Sequence, residues 1–249
     1  MLYDNAQLLY VMTLVWQKTK SPLFEIRIRE TIDWTLRELR LEGGAYAGTL
    51  DADSPDAEGI SREGAFYVWS QSEIEHLFGD DADVVRFRYG IEAGGNAPHD
   101  PHGEFTNLNL LYEAHSVEDV ARLGGRSVEV ATAVLAGART RLFEARRGRP
   151  RPHLDDKVLA GWNGLMIAAF ARAARVTPLD EARSAAAQET ATRAARFLHD
   201  RLWDADRGVL LRRFRNGRAD IDAYSEDYAC VVWGLLELFQ AVCVPDCSV

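Results

Sequence analysis

Three segments of the sequence are apolar almost all the way round a helix, and each follows a short polar start. They are "YDNAQLLYVMTLVWQKT" (Tyr3 to Thr19), "WNGLMIAAFARAARVT" (Trp162 to Thr177) and "EDYACVVWGLLELFQAV" (Glu226 to Val242). A helix without a wet face has to be covered on every side, so these three predict a core built from helices. Small residues at Ala160, Gly164, Ala168 and Ala171 keep one side of the middle helix thin enough for a neighbour to approach closely. From Val158 to Ala171 only Asn163 interrupts the apolar run, which is too short to span a bilayer.

The first two segments are each followed by a helix of different character. In "PLFEIRIRETIDWTLRELR" (Pro22 to Arg40), Ile28, Ile32, Leu36 and Leu39 fall on one face among charged residues, and "DEARSAAAQETATRAARFLHDRLW" (Asp180 to Trp203) is similarly amphipathic. A buried helix, a turn and an amphipathic helix make a hairpin. After each hairpin comes an extended, Gly-marked stretch, "EGGAYAGTLDADS" (Glu42 to Ser54) and "DRGVLLRRFRNGR" (Asp206 to Arg218), so the unit recurs. Between the first and second units lies an insertion at about residues 44–150. It contains "GAFYVW" (Gly64 to Trp69), which predicts a strand, and a capping box of Ser70 with Glu73 opening a helix to about Gly79. It also contains a long ordered loop from Gly90 to Ser116 and a helix from Ser127, its N-cap, to Arg146. About two and a half hairpins are present, and both ends look cut. Apolar faces are therefore expected to be exposed unless another segment or chain covers them.

The net charge of −9 argues against nonspecific nucleic-acid binding. The one basic patch, Arg139 to His153, reads as a solvated helix end running into a Pro-rich loop. No secretory signal pattern is present, so the cytoplasm is the expected compartment, with no membrane partner. Cys230, Cys243 and Cys247 form no C-x-x-C pair and are expected to be buried or terminal thiols. No G-x-G-x-x-G, P-loop, G-x-S-x-G or H-E-x-x-H occurs, and no cofactor is expected.

The runs "MLYDNAQLL", "GGAYAGTLDADS", "EGAFYVWS", "RPHLDDKVLAGWNGLMIAA" and "SEDYACVVWGLLELFQA" closely resemble the second part of the thioredoxin-domain-containing, spermatogenesis-associated protein family. The resemblance covers nearly the whole chain. It implies a six-hairpin, glycosidase-like α/α toroid, similar to those of glycosidases and of N-acylglucosamine and cellobiose epimerases. The fold class expected is thus mainly α, an incomplete α/α toroid over residues 1–249 with a small β-containing insertion. The three apolar helices would be inner and the amphipathic ones outer. The family's thioredoxin-like part and its cysteine motif are absent from this sequence, so no redox chemistry follows from the resemblance.

Parallel inner helices would bring three polar clusters to one end: Asp4 with Asn5; Asp155, Asp156 and Lys157; and Glu226, Asp227 and Tyr228. In one reading the acids are helix caps that satisfy N–H groups and the dipole. In the other, Asp156 and Asp227 act as general acid and base with Asp4 assisting. Trp162 and Tyr228 would then stack on a sugar ring, and Asp155, Lys157 and Asn163 would contact it. Lys157 would oppose the dipole in a first helical turn, so it calls for an ion pair with Asp155 or a ligand. Asp51 and Asp53 are further ligand-contact candidates; their more ordinary role is an Asp-stabilised turn, and Pro55 and Asp56 spoil any calcium loop. Glu58 and Glu63 read as solvated charge. "HDPHGE" (His99 to Glu104) lacks further ligands and reads as a surface loop, so no metal is expected. His153 is the only histidine near the helix starts, which weakens an epimerase assignment.

The function expected is binding or processing of a sugar-like ligand by acid–base chemistry, glycosidase-like or epimerase-like if enzymatic. A ring lacking segments is expected to be inactive by itself. The alternative is a noncatalytic scaffold or binding module supporting a thioredoxin-like partner domain or the remaining toroid segments.

Overall fold

A computed structural model describes residues 1–56, 58–97, 100 and 103–243, with only the backbone of Cys243. In chain order the elements are α1 (Leu2–Thr19), α2 (Pro22–Glu38), β1 (Thr49–Leu50), β2 (Asp53–Pro55), β3 (Ser61–Glu63), α3 (Gln71–Phe78), a 3-10 turn at Gly79–Asp81, α4 (Ala82–Tyr89), α5 (Val117–Leu123) and α6 (Val128–Arg147). There follow β4 (Leu154–Asp155), β5 (Val158–Leu159), α7 (Ala160–Val176), α8 (Glu181–Leu202), β6 (Trp203–Asp204), β7 (Val209–Arg215), β8 (Arg218–Asp222) and α9 (Ser225–Cys243). They form two compact units, residues 1–50 with 154–249, and residues 51–153.

In the first unit α7 packs against α1, α8 and α9, and α2 packs against α1. The direction of the inner helices follows from contacts between them. The rings of Tyr3 and Trp162 lie 4.8 Å apart, whereas Arg172, ten residues further along α7, reaches the Tyr10 hydroxyl at 3.1 Å. Gly161 sits against Asp227, Gly164 against Cys230, and Arg172 and Arg175 against Glu237. Contacts that advance together along both chains make α1, α7 and α9 parallel. With α2 and α8 returning as partners of α1 and α7, the unit is mainly helical and built from the recurring hairpins that the apolar pattern predicts.

The sequence explains these helices locally. Lys20 ends α1 in the left-handed region (φ 55°), its N–H on the Trp16 carbonyl, and Pro22 restarts the chain at the first position of α2. Of the predicted face, Ile28 and Ile32 are buried on α2, Leu39 is buried at its C-cap, and Leu36 is partly buried against the same core. α7 has no wet face: Met166 through Ala171 are all wholly buried. Its thin side is what α9 meets. A Cβ on Gly164 would lie 2.6 Å from the Cys230 backbone, and one on Gly234 would lie 2.5 Å from the Gly164 carbonyl oxygen. Asp180 caps α8 by accepting from the Arg183 N–H at 2.9 Å, and Arg183 also pairs with Asp33 of α2 at 3.1 Å.

Far along the inner helices, the buried Glu237 carboxylate joins all three. It accepts from Tyr10 Oη at 2.8 Å, from Arg172 at 3.0 Å and from Arg175 at 3.0 Å. Arg172 also donates to Gln17 at 3.0 Å. A charge this deep is tolerable because it is paired and hydrogen-bonded on both oxygens.

A four-stranded antiparallel sheet in order β5-β7-β6, with β8 also on β7, lies in the same unit. β7 and β8 are joined through Asn216 and Gly217, both at positive φ (52° and 76°), as a tight hairpin turn requires. Ile221 of β8 also has φ 62°, an outlier for a β-branched residue, and is 48% exposed.

In the second unit the capping box forms as the sequence predicts. Ser70 Oγ accepts from the Glu73 N–H at 3.2 Å, and the Glu73 carboxylate accepts from the Ser70 N–H at 2.8 Å. Ser127 caps α6 through its hydroxyl alone, which accepts from the Val130 N–H at 3.3 Å. The strand expected at Gly64–Trp69 is a correction: the strand is Ser61–Glu63, and Gly64 (φ 70°) turns the chain so that the Tyr67 N–H bonds the Gly64 carbonyl at 2.7 Å. Apolar clusters around Trp69, Ile74 and Val85 and around Val84, Val120 and Leu135 fill this unit. Asn109 orders the long loop, accepting from the Glu92 N–H and donating to the Trp69 and Glu92 carbonyls. The histidines His99 and His102 lie outside the described residues.

Candidate functional site

Residues 154–159 are extended rather than helical. β4 pairs with β1 (Thr49↔Asp155) and β5 pairs with β7 (Val158↔Phe214), so Asp156 and Lys157 occupy the short link between two β pairings. α7 starts only at Ala160, its N-cap Leu159 makes no side-chain cap, and no acid stands in its first turn. The cap reading of Asp155 and Asp156 is thereby overturned, and Lys157 is not in a helical turn. Backbone pairing with strands distant in sequence holds this segment's N–H and C=O groups, which delays the helix.

The link is charge-paired. Lys157 Nζ lies 2.9 Å from Asp155 Oδ2, so the expected ion pair forms although the helical turn that was its reason does not, and Arg215 Nε lies 2.7 Å from Asp156 Oδ1. Burial, the largest single influence on Asp155, pushes its carboxyl up. The hydrogen bonds from the Lys157 side chain and backbone, with the Lys157 and Arg215 charges, together outweigh burial and hold it below the ordinary carboxylate range.

At the start of α9, Asp227 is 3% exposed. Its Oδ2 accepts from the Tyr224 N–H at 3.0 Å and from Arg212 at 2.8 Å. This is the carboxylate half of a capping box reinforced by an ion pair, so Asp227 does cap. Arg212 also bonds Glu226 at 3.1 Å and lies over the Tyr224 ring at 4.8 Å. The Tyr228 hydroxyl accepts from the Leu210 N–H at 2.8 Å, tying α9 to β7.

Asp4 lies half-exposed, 3.3 Å from the Met1 amino group. Trp162 stands tilted against Tyr3. Asn163 is wholly buried, with its amide committed to backbone: Oδ1 accepts from the Tyr46 N–H at 2.8 Å, and Nδ2 donates to the Tyr46 and Leu159 carbonyls. Its side chain fixes the 45–48 segment to α7. Asp51 and Asp53 belong to the other unit, where Asp51 Oδ1 accepts from the Asp53 N–H at 3.2 Å in an Asp turn. Burial pushes the thiol of part-buried Cys230 up.

The parallel inner helices thus bring Asp4, Trp162 and Asp227 to one end of the layer, with Asp155, Asp156 and Lys157 just before α7. Arg212, Arg215, Tyr3 and Tyr224 join them, and sequence reasoning missed these four. The available signal was the pair of arginines three apart in "LLRRFRNGR", ahead of a hairpin turn. Among the described residues no three His, Cys, Asp or Glu side chains assemble as a metal-ligand set. Nor is any helix among them long and apolar enough to cross a membrane.

No family model matches the chain. Similar proteins exist. Over 97% of its length it is 33% identical to spermatogenesis-associated protein 20 of Homo sapiens and 34% identical to the protein of that name in Mus musculus. Over the same share it is 32% identical to an uncharacterized protein of Caenorhabditis elegans. The chain spans about a third of the length of these relatives, at 33%, 32% and 35%. Among solved structures, cellobiose 2-epimerase from Spirochaeta thermophila DSM 6192 aligns over 96% of this chain and 70% of that one. Its identity is 15% and the TM-score 0.28, too low to bear on function or on closure of a ring.

Proposed function

We propose that this chain is a member of the spermatogenesis-associated family, and that the polar end of its α1/α7/α9 layer binds a carbohydrate-like ligand. The observation that carries the reading is the convergence there of three carboxylate–cation pairs with an aromatic pair. Ionised carboxylates and guanidinium groups supply the hydrogen bonds a polyhydroxylated ring needs, and an indole face beside them supplies the platform. Trp162 stacks, and Lys157, Asp155 and Tyr228 orient. Asp156, part-exposed beside Arg215, is the group able to exchange a proton with a ligand. Asp227 is buried and held by the α9 backbone, so its part is to aim Arg212, and Asp4 assists from α1. Asn163 positions the 45–48 backbone beneath Trp162. Asp51 and Asp53 stay outside this proposal because they form a turn in the other unit. The compartment proposed is the cytoplasm.

Thermal unfolding against a panel of mono- and disaccharides tests it. A ligand-dependent rise in Tm that disappears in Asp156→Ala and Trp162→Ala supports the reading; a flat panel with a well-folded chain sinks it.

A noncatalytic scaffold is the second reading. It draws on the pairing of Asp155, Asp156 and Asp227 with cations. It also draws on an exposed apolar stripe along α9 of Val232, Leu235, Leu236 and Phe239. Association with a separately produced thioredoxin-like domain, without sugar turnover, is its expected signature.

A further inference from the structure

The second unit holds a cavity that the sugar reading does not use. It is an open cleft of about 660 Å³ between the end of α4, the end of α5 and the 112–115 segment. That volume is within the range of roughly 300 to 1,000 Å³ of small-molecule sites. Its walls are fixed by backbone. The Ala114 N–H bonds the Arg88 carbonyl at 2.9 Å, the Ile91 N–H bonds the Arg86 carbonyl at 3.0 Å, and the Arg88 side chain bonds the His115 carbonyl. Phe87 and His115 stack face to face at 3.7 Å.

Two features give the cavity its chemistry. One is an aromatic wall left in the open: Tyr112 is 56% exposed, yet its ring lies where a Cβ on Gly90 would be, at 2.6 Å, and Gly90 has φ 64°. Only glycine permits that contact, so the ring is held in place without being buried. The other feature is an excess of negative charge. Arg86 is neutralised by Asp83 at 3.3 Å and Glu75 at 3.5 Å, and Arg126 by Asp81 at 2.9 Å. The carboxylates of Asp80 and Glu92, also in the lining, have no cationic partner among the described residues. The C-terminal ends of α4 and α5, at Gly90 and Gly124, also line this space.

We propose that this cavity binds a small organic cation, an amine carried on a flat apolar body. The ammonium group is drawn to Asp80 and Glu92, and the body lies against Tyr112 and Leu123. The cation over the Tyr112 face gains further from the ring quadrupole. Nothing here depends on a sugar at the helix starts of the first unit.

Calorimetric titration of the full 249-residue chain with 2-phenylethylamine, 2-phenylethanol and phenylacetate at low ionic strength is the test. The amine is expected to bind saturably at one site, with the alcohol and the anion weaker. Asp80→Asn with Glu92→Gln, and separately Tyr112→Ala, are expected to weaken the amine about fivefold or more. All three positions are exposed, so the melting temperature should stay unchanged and report intact folding. Absence of saturable amine binding overturns the proposal. So does equal or tighter binding of phenylacetate, or undiminished binding in both folded variants.

Discussion

Gly164 of α7 and Gly234 of α9 meet backbone to backbone: a Cβ on Gly234 would stand 2.5 Å from the Gly164 carbonyl oxygen. Neither helix can yield to an extra carbon without moving, because the atoms in the way are main chain. Gly164→Ala is expected to destabilise by about 2 kcal/mol or more, despite the higher helix propensity of alanine. Chemical denaturation of the purified variant measures this. A stabilised Gly164→Ala protein would mean that the two helices are further apart than described.

The Glu237 carboxylate gives a second, larger effect. Its removal in Glu237→Ala leaves Arg172 and Arg175 without their shared anion at the centre of three helices. A loss of about 3 kcal/mol is expected, with Glu237→Gln milder because Tyr10 and one guanidinium keep an acceptor. Urea melts of both variants, compared with Tyr10→Phe, separate charge from hydrogen bonding.

Asp155 predicts a pH dependence. Its folded-state carboxyl lies below the ordinary value of 3.8, so folding favours the ionised form. The stabilisation is complete above that value and is lost as pH falls through the folded-state pKa below it. Asp155→Asn should therefore melt earlier than the parent at pH 7 and converge with it under strongly acidic conditions. Equal melting temperatures of the two proteins at neutral pH would remove Lys157 as a stabilising partner.

Ile221 predicts a gain. Its φ of 62° suits asparagine far better than a β-branched residue, and it is half exposed. Ile221→Asn is expected to stabilise the β7–β8 hairpin by about 1 kcal/mol, read as a rise in Tm.

The inner helices were legible because an apolar run without a wet face is a local property; Met166 to Ala171 is wholly buried as that pattern demands, whereas in Leu9 to Trp16 the same pattern leaves Val11 and Leu14 exposed. Ser70 with Glu73 was legible for the same reason, since the cap lies within four residues. The segment around Asp156 was not. Its conformation is decided by Thr49 and Phe214, far away along the chain, and a row of acids before a helix looks the same whether or not it caps. Gly64 to Trp69 misled in the opposite way: its aromatics suit a strand, but after the left-handed glycine the chain turns, Phe66 and Trp69 are buried while Tyr67 stays exposed, and the Phe66 N–H meets Ser54. At the site, the carboxylates were visible in the sequence, but Arg212 and Arg215 were not assigned to them. Which acid each guanidinium meets is set by strand register, and the register is not local.

The pairing of β1 with β4 has a consequence for how the protein can be rebuilt. Leu50 and Leu154 are direct ladder partners, so the chain departs for residues 51–153 and comes back at neighbouring points. Antiparallel partners lie only about 5 Å apart. A two-residue Asn-Gly connection could close Leu50 onto Leu154 as an ordinary hairpin, leaving each unit to be produced alone. The excised segment would then be a graft with adjacent attachment points, transferable into another host without reshaping it.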